Sequence, residues 1–272
     1  MPELAEVEFC RRQWQQELPF HIEKVITSDS SRVYRNCSPT KVQERLLGKT
    51  LVESFRHGKQ LFFKTNDHLW LNVHLGMTGF LCSKKQAENW KKRDALILIA
   101  PSGLILHFDD FRMFGKVDLF EEKPTFQTPD PCEEQYNRNH LQNLVKRFPK
   151  KQLKAFILDQ NCCPGFGNWM ADEVMWRMGR LPNTKVSNCD IDSFFQKLKF
   201  VAEKSIYYIA DGNGAPFSTY KKKPKNHWGA PPEDWLFQSR WKKDLECPSC
   251  PALLSRETFA GRTTCFCAQC QN

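Results

Sequence analysis

The chain opens Met1-Pro2-Glu3-Leu4-Ala5-Glu6-Val7-Glu8, and two chemistries meet in these eight residues. As local structure they are a helix start: proline suits a first turn, where its missing N–H is no loss. Glu3, Glu6 and Glu8 then sit where the helix dipole favours negative charge. As chemistry they offer an amine. An initiator methionine before a small second residue is usually removed, and its loss leaves Pro2 as a free secondary amine beside the Glu3 carboxylate. An α-amino group titrates near ~8 and a lysine near ~10.4. At neutral pH roughly 10% of the former is unprotonated and nucleophilic, against less than ~0.1% of the latter.

Working outward, residues 2–16 place Leu4, Val7, Trp14 and Leu18 at helical spacing, and Pro19 stops the helix. Strand-like runs follow at 22–27, 51–55, 60–65, 69–74, 80–82, 95–100, 104–108 and 116–120. One short helix interrupts them, opened by Ser38-Pro39-Thr40 and closed by Gly48. Short strands separated by turn signals predict a sandwich or barrel-like β domain. Pro124, Pro129 and Pro131 then mark a linker. Beyond it the pattern is helical, at 139–148, 152–161, 168–178 and 190–210. The expected class is α+β and multidomain: a β-rich N-terminal domain with a leading α-helix over 1–121, a linker over 122–135, a helical domain over 136–243 and a small terminal module over 244–272.

At 272 residues there is room for two cores. No apolar run reaches spanning length and no signal-peptide pattern is present, so a soluble intracellular protein is expected, cytoplasmic or with the nucleoid. The net charge of +9 points to a polyanionic partner. Of the twelve cysteines, four near the C-terminus stand at metal-ligand spacing, which argues for a metal rather than a disulfide framework.

That spacing is Cys247-x2-Cys250-x16-Cys267-x2-Cys270. Two knuckles so separated fit one tetrahedral zinc ion, and four thiolates leave no open position, so the zinc is structural. Between them Phe259-Ala260-Gly261-Arg262-Thr263-Thr264 reads as a hairpin tip, with Arg262 projecting as a phosphate clamp. Upstream, Pro164-Gly165-Phe166-Gly167-Asn168 leads into a helix, either an ordinary capped start after a glycine turn or one whose free N–H groups suit a phosphate. Three further stretches sit at strand ends with glycine punctuation: His57-Gly58-Lys59, His74-Leu75-Gly76-Met77-Thr78-Gly79 and Asp109-Asp110-Phe111-Arg112-Met113-Phe114-Gly115. Loops of this kind present functional residues from a rigid sheet.

Taken together these residues resemble the formamidopyrimidine-DNA glycosylase and endonuclease VIII family of base-excision repair enzymes, closest to the formamidopyrimidine-DNA glycosylase branch. The opening is one residue from the family's M-P-E-L-P-E-V-E, and the match runs through Gly58-Lys59, His74 to Gly79 and Gly167-Asn168 to the C-terminal cysteines. The resemblance implies an N-terminal β-sandwich, a helix–two-turns–helix domain and a zinc-ribbon finger, binding damaged double-stranded DNA in a cleft; a monomer is expected. It implies that Pro2 attacks C1′ of a damaged nucleotide, displaces the base and forms a Schiff base, after which β,δ-elimination cuts the strand. Glu3 is the implied acid/base partner and Glu6 a further carboxylate near the site. Lys59, Asn168 and Arg262 are implied to contact phosphates, and His74 belongs to the same DNA-binding set. Met77, Arg112 and Phe114 are implied to fill the gap when the lesion flips out. The implied substrates are oxidised purines, 8-oxoguanine and formamidopyrimidines.

Two departures stand out. The family's D-P-R-R-F-G reads Asp110-Phe111-Arg112-Met113-Phe114-Gly115, losing one arginine. The lesion-capping loop expected at about 212–243 contains a basic-aromatic run, 220–228, unlike the usual pattern. Two rivals therefore remain open: the same chemistry on oxidised pyrimidines, and a damaged-DNA-binding protein without catalysis.

Overall fold

A computed structural model describes residues 1–29, 32–85, 94–214, 229–240 and 244–272. The basic-aromatic run 220–228 lies outside the described residues; of the segment 212–243, the described parts are 212–214 and 229–240. The chain divides into two compact units, Met1–Pro2 with Glu6–Phe126, and Glu3–Ala5 with Gln127–Asn272.

In the first unit, helix α1 (Leu4–Gln15, its first turn counted with the second unit) precedes β1 (Phe20–His21), β2 (Lys24–Thr27) and helix α2 (Pro39–Leu46). Seven more strands follow: β3 (Thr50–His57), β4 (Gln60–Thr65), β5 (Trp70–His74), β6 (Phe80–Lys84), β7 (Asp94–Ile99), β8 (Ile105–Asp109) and β9 (Lys116–Phe120). They form two antiparallel sheets, β1-β3-β4-β5-β9 and β2-β7-β8-β6, the expected β-sandwich. Strand β4 is buried on both faces rather than alternating. Phe63 packs on Trp14 of α1 with ring centroids 4.9 Å apart, while Phe62 packs on Phe55 at 4.7 Å and on Phe126 at 5.8 Å. Helix α2 starts where proline and serine direct, with Pro39 in its first turn and Ser38 Oγ accepting from Lys41 N–H.

Helix α1 begins at Leu4, two residues later than the pattern predicts, and the opening carboxylates do not simply line its dipole. Glu8 is buried and held by arginines: Arg11 reaches both of its oxygens at 2.7 and 2.9 Å, and Arg12 donates at 2.9 Å.

The second unit holds α3 (Arg138–Arg147), α4 (Leu153–Leu158), α5 (Asn168–Arg177), α6 (Ile191–Ser205) and α7 (Leu236–Ser239). Two hairpins end it, β10 (Glu246–Cys247) with β11 (Cys250–Leu253), and β12 (Ser255–Phe259) with β13 (Arg262–Phe266). Helix α5 is buried from Trp169 to Trp176. Around it, Leu4 and Ala5 join Phe156, Phe194, Leu198 and Val201 in one core. Two helices are shorter than their periodicity suggests. Helix α4 stops because Asp159 turns the chain, its Oδ1 accepting from Asn161 N–H and its carbonyl from Cys162 and Cys163. Helix α6 widens into a π-type turn over Ile206–Ala210, just after Ser205 Oγ bonds back to the Ala202 carbonyl.

Candidate functional site

The N-terminus of α5 is occupied by the chain's own third residue. Glu3 is buried, and its carboxylate accepts from the N–H groups of Gly167 (2.9 Å), Trp169 (3.0 Å) and Met170 (3.1 Å). Of the two readings of this helix start the capped one holds and the free phosphate nest does not: Glu3 takes the amides. The two glycines serve the same approach. A Cβ on Gly167 would stand 2.3 Å from Glu3 Cδ, and Gly165, at φ +87°, passes directly against Leu4. Leu4 N–H closes the junction on the Gly165 carbonyl at 3.0 Å. The arrangement orients one carboxylate immediately after Pro2, which is itself buried.

Further along α5, Asp172 gathers the rest of the unit. It is fully buried and ion-paired with Lys154 of α4 and with Arg240 at 2.6 Å. It also accepts from Cys265 N–H on β13 at 3.1 Å. Burial pushes the Lys154 amine down and Asp172 opposes it. Nothing in the sequence pattern marks Lys154, a lysine inside an apolar run. The same hairpin carries Arg262, exposed just past Ala260-Gly261, both at positive φ as a tight two-residue loop requires. Asn168 Nδ2 donates to the Thr263 carbonyl at 2.7 Å, so Asn168 and Arg262 are brought together.

The sulfurs of Cys247, Cys250, Cys267 and Cys270 lie within 4.8 Å of one another, with three of the pairs at 3.3, 3.5 and 3.9 Å. A tetrahedral ion with bonds of about 2.3 Å sets its sulfurs about 3.8 Å apart, so the cluster fits one metal ion. It also has outer donors of the kind that steady thiolates, Trp176 Nε1–H to Cys247 Sγ at 3.2 Å and Ser249 N–H to the same sulfur at 3.5 Å.

In the first unit, sheet register collects the other candidates at one end. His57 pairs with Gln60 across a two-residue loop, Gly58-Lys59, with Gly58 at φ +56°; Gln60 pairs with His74, and His74 with Lys116. Lys59 and His74 therefore share a sheet end. His74 Nδ1 accepts from Gly76 N–H at 3.1 Å, which leaves the ring proton on Nε2. Burial, with the charges of Lys59, Arg35 and Lys116, holds its pKa down to about 4, so it is a neutral donor at physiological pH.

The two neighbouring loops are fastened to each other. Asp110 is fully buried; its Oδ1 accepts from Thr78 Oγ1 at 2.7 Å and its Oδ2 from Gly115 N–H at 2.6 Å. Arg112 N–H donates to Thr78 Oγ1 at 3.2 Å. A Cβ on Gly76 would lie 2.5 Å from the Phe114–Gly115 backbone, so glycine there is a condition of the contact. Met77 (41% exposed) and Phe114 (38%) emerge from the paired loops, with the Arg112 guanidinium 4.7 Å over the Phe114 ring. Glu6 is buried on α1, where its charge reaches the Cys10 thiol.

Comparison with known proteins agrees with this layout. Residues 1–117 match the model of the formamidopyrimidine-DNA glycosylase N-terminal domain, and 128–212 that of its H2TH domain. The Bacillus subtilis formamidopyrimidine-DNA glycosylase is 30% identical over 100% of this chain and 99% of its own. A variant of the Lactococcus lactis enzyme solved with DNA containing Fapy-dG superposes with a TM-score of 0.82 at 26% identity, covering 99% of both chains. The same enzyme solved with DNA containing an abasic site gives 0.81 at 25%, again over 99% of both. The chain belongs to the formamidopyrimidine-DNA glycosylase and endonuclease VIII family, in the formamidopyrimidine-DNA glycosylase branch.

Proposed function

We propose that this protein is a DNA glycosylase of base-excision repair that removes oxidised purines and then cuts the strand as an AP lyase. The observation that carries the reading is at the chain's start, where Pro2 precedes a carboxylate that three backbone amides hold buried and oriented. With Met1 removed, the Pro2 amine attacks C1′ of the damaged nucleotide and the base departs with a proton. The C1′–O4′ bond of the resulting aminal then breaks, O4′ taking a proton, and the iminium so formed acidifies the C2′ proton; two eliminations release the 3′ and 5′ phosphates in turn. Glu3 carries protons for ring opening, within one residue of the amine that needs them. Glu6, in the first turn of α1, adds a second carboxylate.

Lys59 and neutral His74 grip the phosphates beside the lesion. Asn168 and Arg262 do the same from the zinc hairpin and the start of α5. Met77, Arg112 and Phe114 enter the space the flipped nucleotide vacates. The ion of the four-cysteine cluster is zinc, which fixes the hairpin bearing Arg262 and takes no part in the chemistry.

Borohydride trapping tests this directly. The protein is incubated with duplexes carrying 8-oxoguanine, a formamidopyrimidine, thymine glycol or an abasic site, and covalent complexes are counted. Trapping on the abasic duplex and excision of both purine lesions ahead of thymine glycol are expected, with Pro2→Gly trapping less. Intact binding without any trapped complex would overturn the enzyme reading, and a preference for thymine glycol would overturn the purine assignment.

A further inference from the structure

Phe111 is the most exposed large hydrophobic side chain among the described residues, at 75%. It sits between Asp110 and Arg112, in the loop that carries the gap-filling residues. Met113 N–H donates to the Asp110 carbonyl at 3.0 Å, closing a β-turn over Asp110-Phe111-Arg112-Met113 and placing Phe111 at its outer corner. A turn does not ask for phenylalanine there; proline suits that corner because its φ is preset, and the family pattern D-P-R-R-F-G has one. Here the preset φ is given up and an uncovered ring is gained.

The ring stands on a firm base. Both Asp110 oxygens are engaged, the Gly76 backbone packs against 114–115, and Met113 holds a left-handed φ of +53°. Cations share this loop: Arg112 lies over the Phe114 ring, Arg35 donates to the Gly115 carbonyl at 3.2 Å, and Lys116 follows, while Asp110 is buried and Asp109 ends β8. A bare aromatic ring on a loop that also carries arginine and lysine suits a partner with flat apolar faces and a polyanionic backbone, which describes a nucleic-acid base stack. An apolar protein surface would gain nothing from those charges.

We propose that Phe111 is a second stacking side chain, taking the face of a duplex base next to the gap served by Met77 and Phe114. The loop thereby grips the DNA at two aromatic points instead of one. The proposal rests on the assignment of this loop to damaged duplex DNA made above.

The test uses the whole protein and a duplex with a tetrahydrofuran abasic analogue, placing 2-aminopurine in turn at the opposite base and at each neighbour. Phe111→Ala should weaken binding by about 5- to 150-fold, the range for one lost base–aromatic stack. It should also remove the fluorescence change at one reporter position while Phe114→Ala removes it at another. Phe111→Trp should retain both affinity and signal. Phe111→Pro keeps a residue suited to the turn without the ring, and should fail as Phe111→Ala does. Trapping on a single-stranded abasic oligonucleotide, which offers no base stack beside a gap, should be unchanged in the three Phe111 variants. Wild-type affinity and signals in Phe111→Ala or Phe111→Pro would overturn the second stacking point alone. A wild-type protein that did not distinguish the analogue duplex from intact duplex would overturn the loop assignment and this proposal with it.

Discussion

Glu3 in the helical unit and Asp110 in the β-sandwich unit are both buried carboxylates that accept backbone N–H groups, yet they sit differently in the chain. Asp110 accepts one amide and one hydroxyl, and its neighbours in sequence are the exposed residues Phe111 and Arg112. Its work ends at fixing two loops. Glu3 accepts three amides of a single helix start, and its neighbour in sequence is Pro2. The same interaction thus presents other residues in one unit and aims the carboxylate itself in the other. Sequence position alone marks Asp110 as an acidic residue in a loop ended by Gly115 and Glu3 as one of three carboxylates at a helix start. The identity of the donors separates a carboxylate that fastens two loops from one seated in a helix start next to Pro2.

Three substitutions sharpen the contrast, taken from the largest effect down. On the proposed mechanism Glu3→Gln removes the proton carrier, and it sets an NH2 group against helix amides. Single-turnover cleavage should fall by roughly 10²–10⁴-fold, while binding to a tetrahydrofuran duplex persists; near-normal cleavage would reduce Glu3 to a cap. Glu173 is another buried carboxylate, with one backbone donor (Phe237 N–H) and Arg177 as its ion partner. Burial pushes it up to about 7 from an ordinary 4.5, against Arg177. A raised native value means the folded state holds the proton more tightly. Its contribution to stability is therefore full below about 4.5 and is lost as pH rises through 7. Glu173→Gln should gain on wild type between pH 5 and pH 8 by roughly 1–3 kcal/mol, read as the difference in thermal midpoints; a pH-independent difference would contradict this. Asp110→Asn should have the mildest outcome. It keeps an acceptor for one of its two donors, so damaged-duplex affinity should drop about 5- to 15-fold, the worth of one misplaced hydrogen bond. Trapping on single-stranded abasic DNA should stay unchanged, and loss of trapping would mean that Asp110 does more than fasten loops.

Much of the architecture is legible in the residues. Strands β4 and β9 start and stop where the runs 60–65 and 116–120 do, because turn residues bound them on both sides. The cysteine spacing foretells a cluster because four thiolates on two knuckles have few other ways to be satisfied. What stays hidden has one physical source: buried polar partners lie far apart in sequence. Glu3 meets Gly167 across 164 positions and Cys265 meets Asp172 across 93. Gly165 and Gly167 looked like an open phosphate nest because the carboxylate that fills it belongs to the other end of the chain. Lys154 gave no sign at all, since a lysine in an apolar run reads as a helix-surface residue until its aspartate is seen. Phe111 was visible as a letter but not as an exposed ring, because exposure is decided by the turn that Asp110 and Met113 close.

One contact in the second unit makes the protein its own instrument. Trp176 donates its indole N–H to Cys247 Sγ. A chelator that strips the cluster changes the charge and position of that sulfur, and the indole emission should move with it. Because Trp176 lies on the helix whose first turn receives Glu3, one optical trace would follow the state of the cluster during turnover without any added dye. Trp176→Phe would silence the response and show that the other seven tryptophans do not carry it.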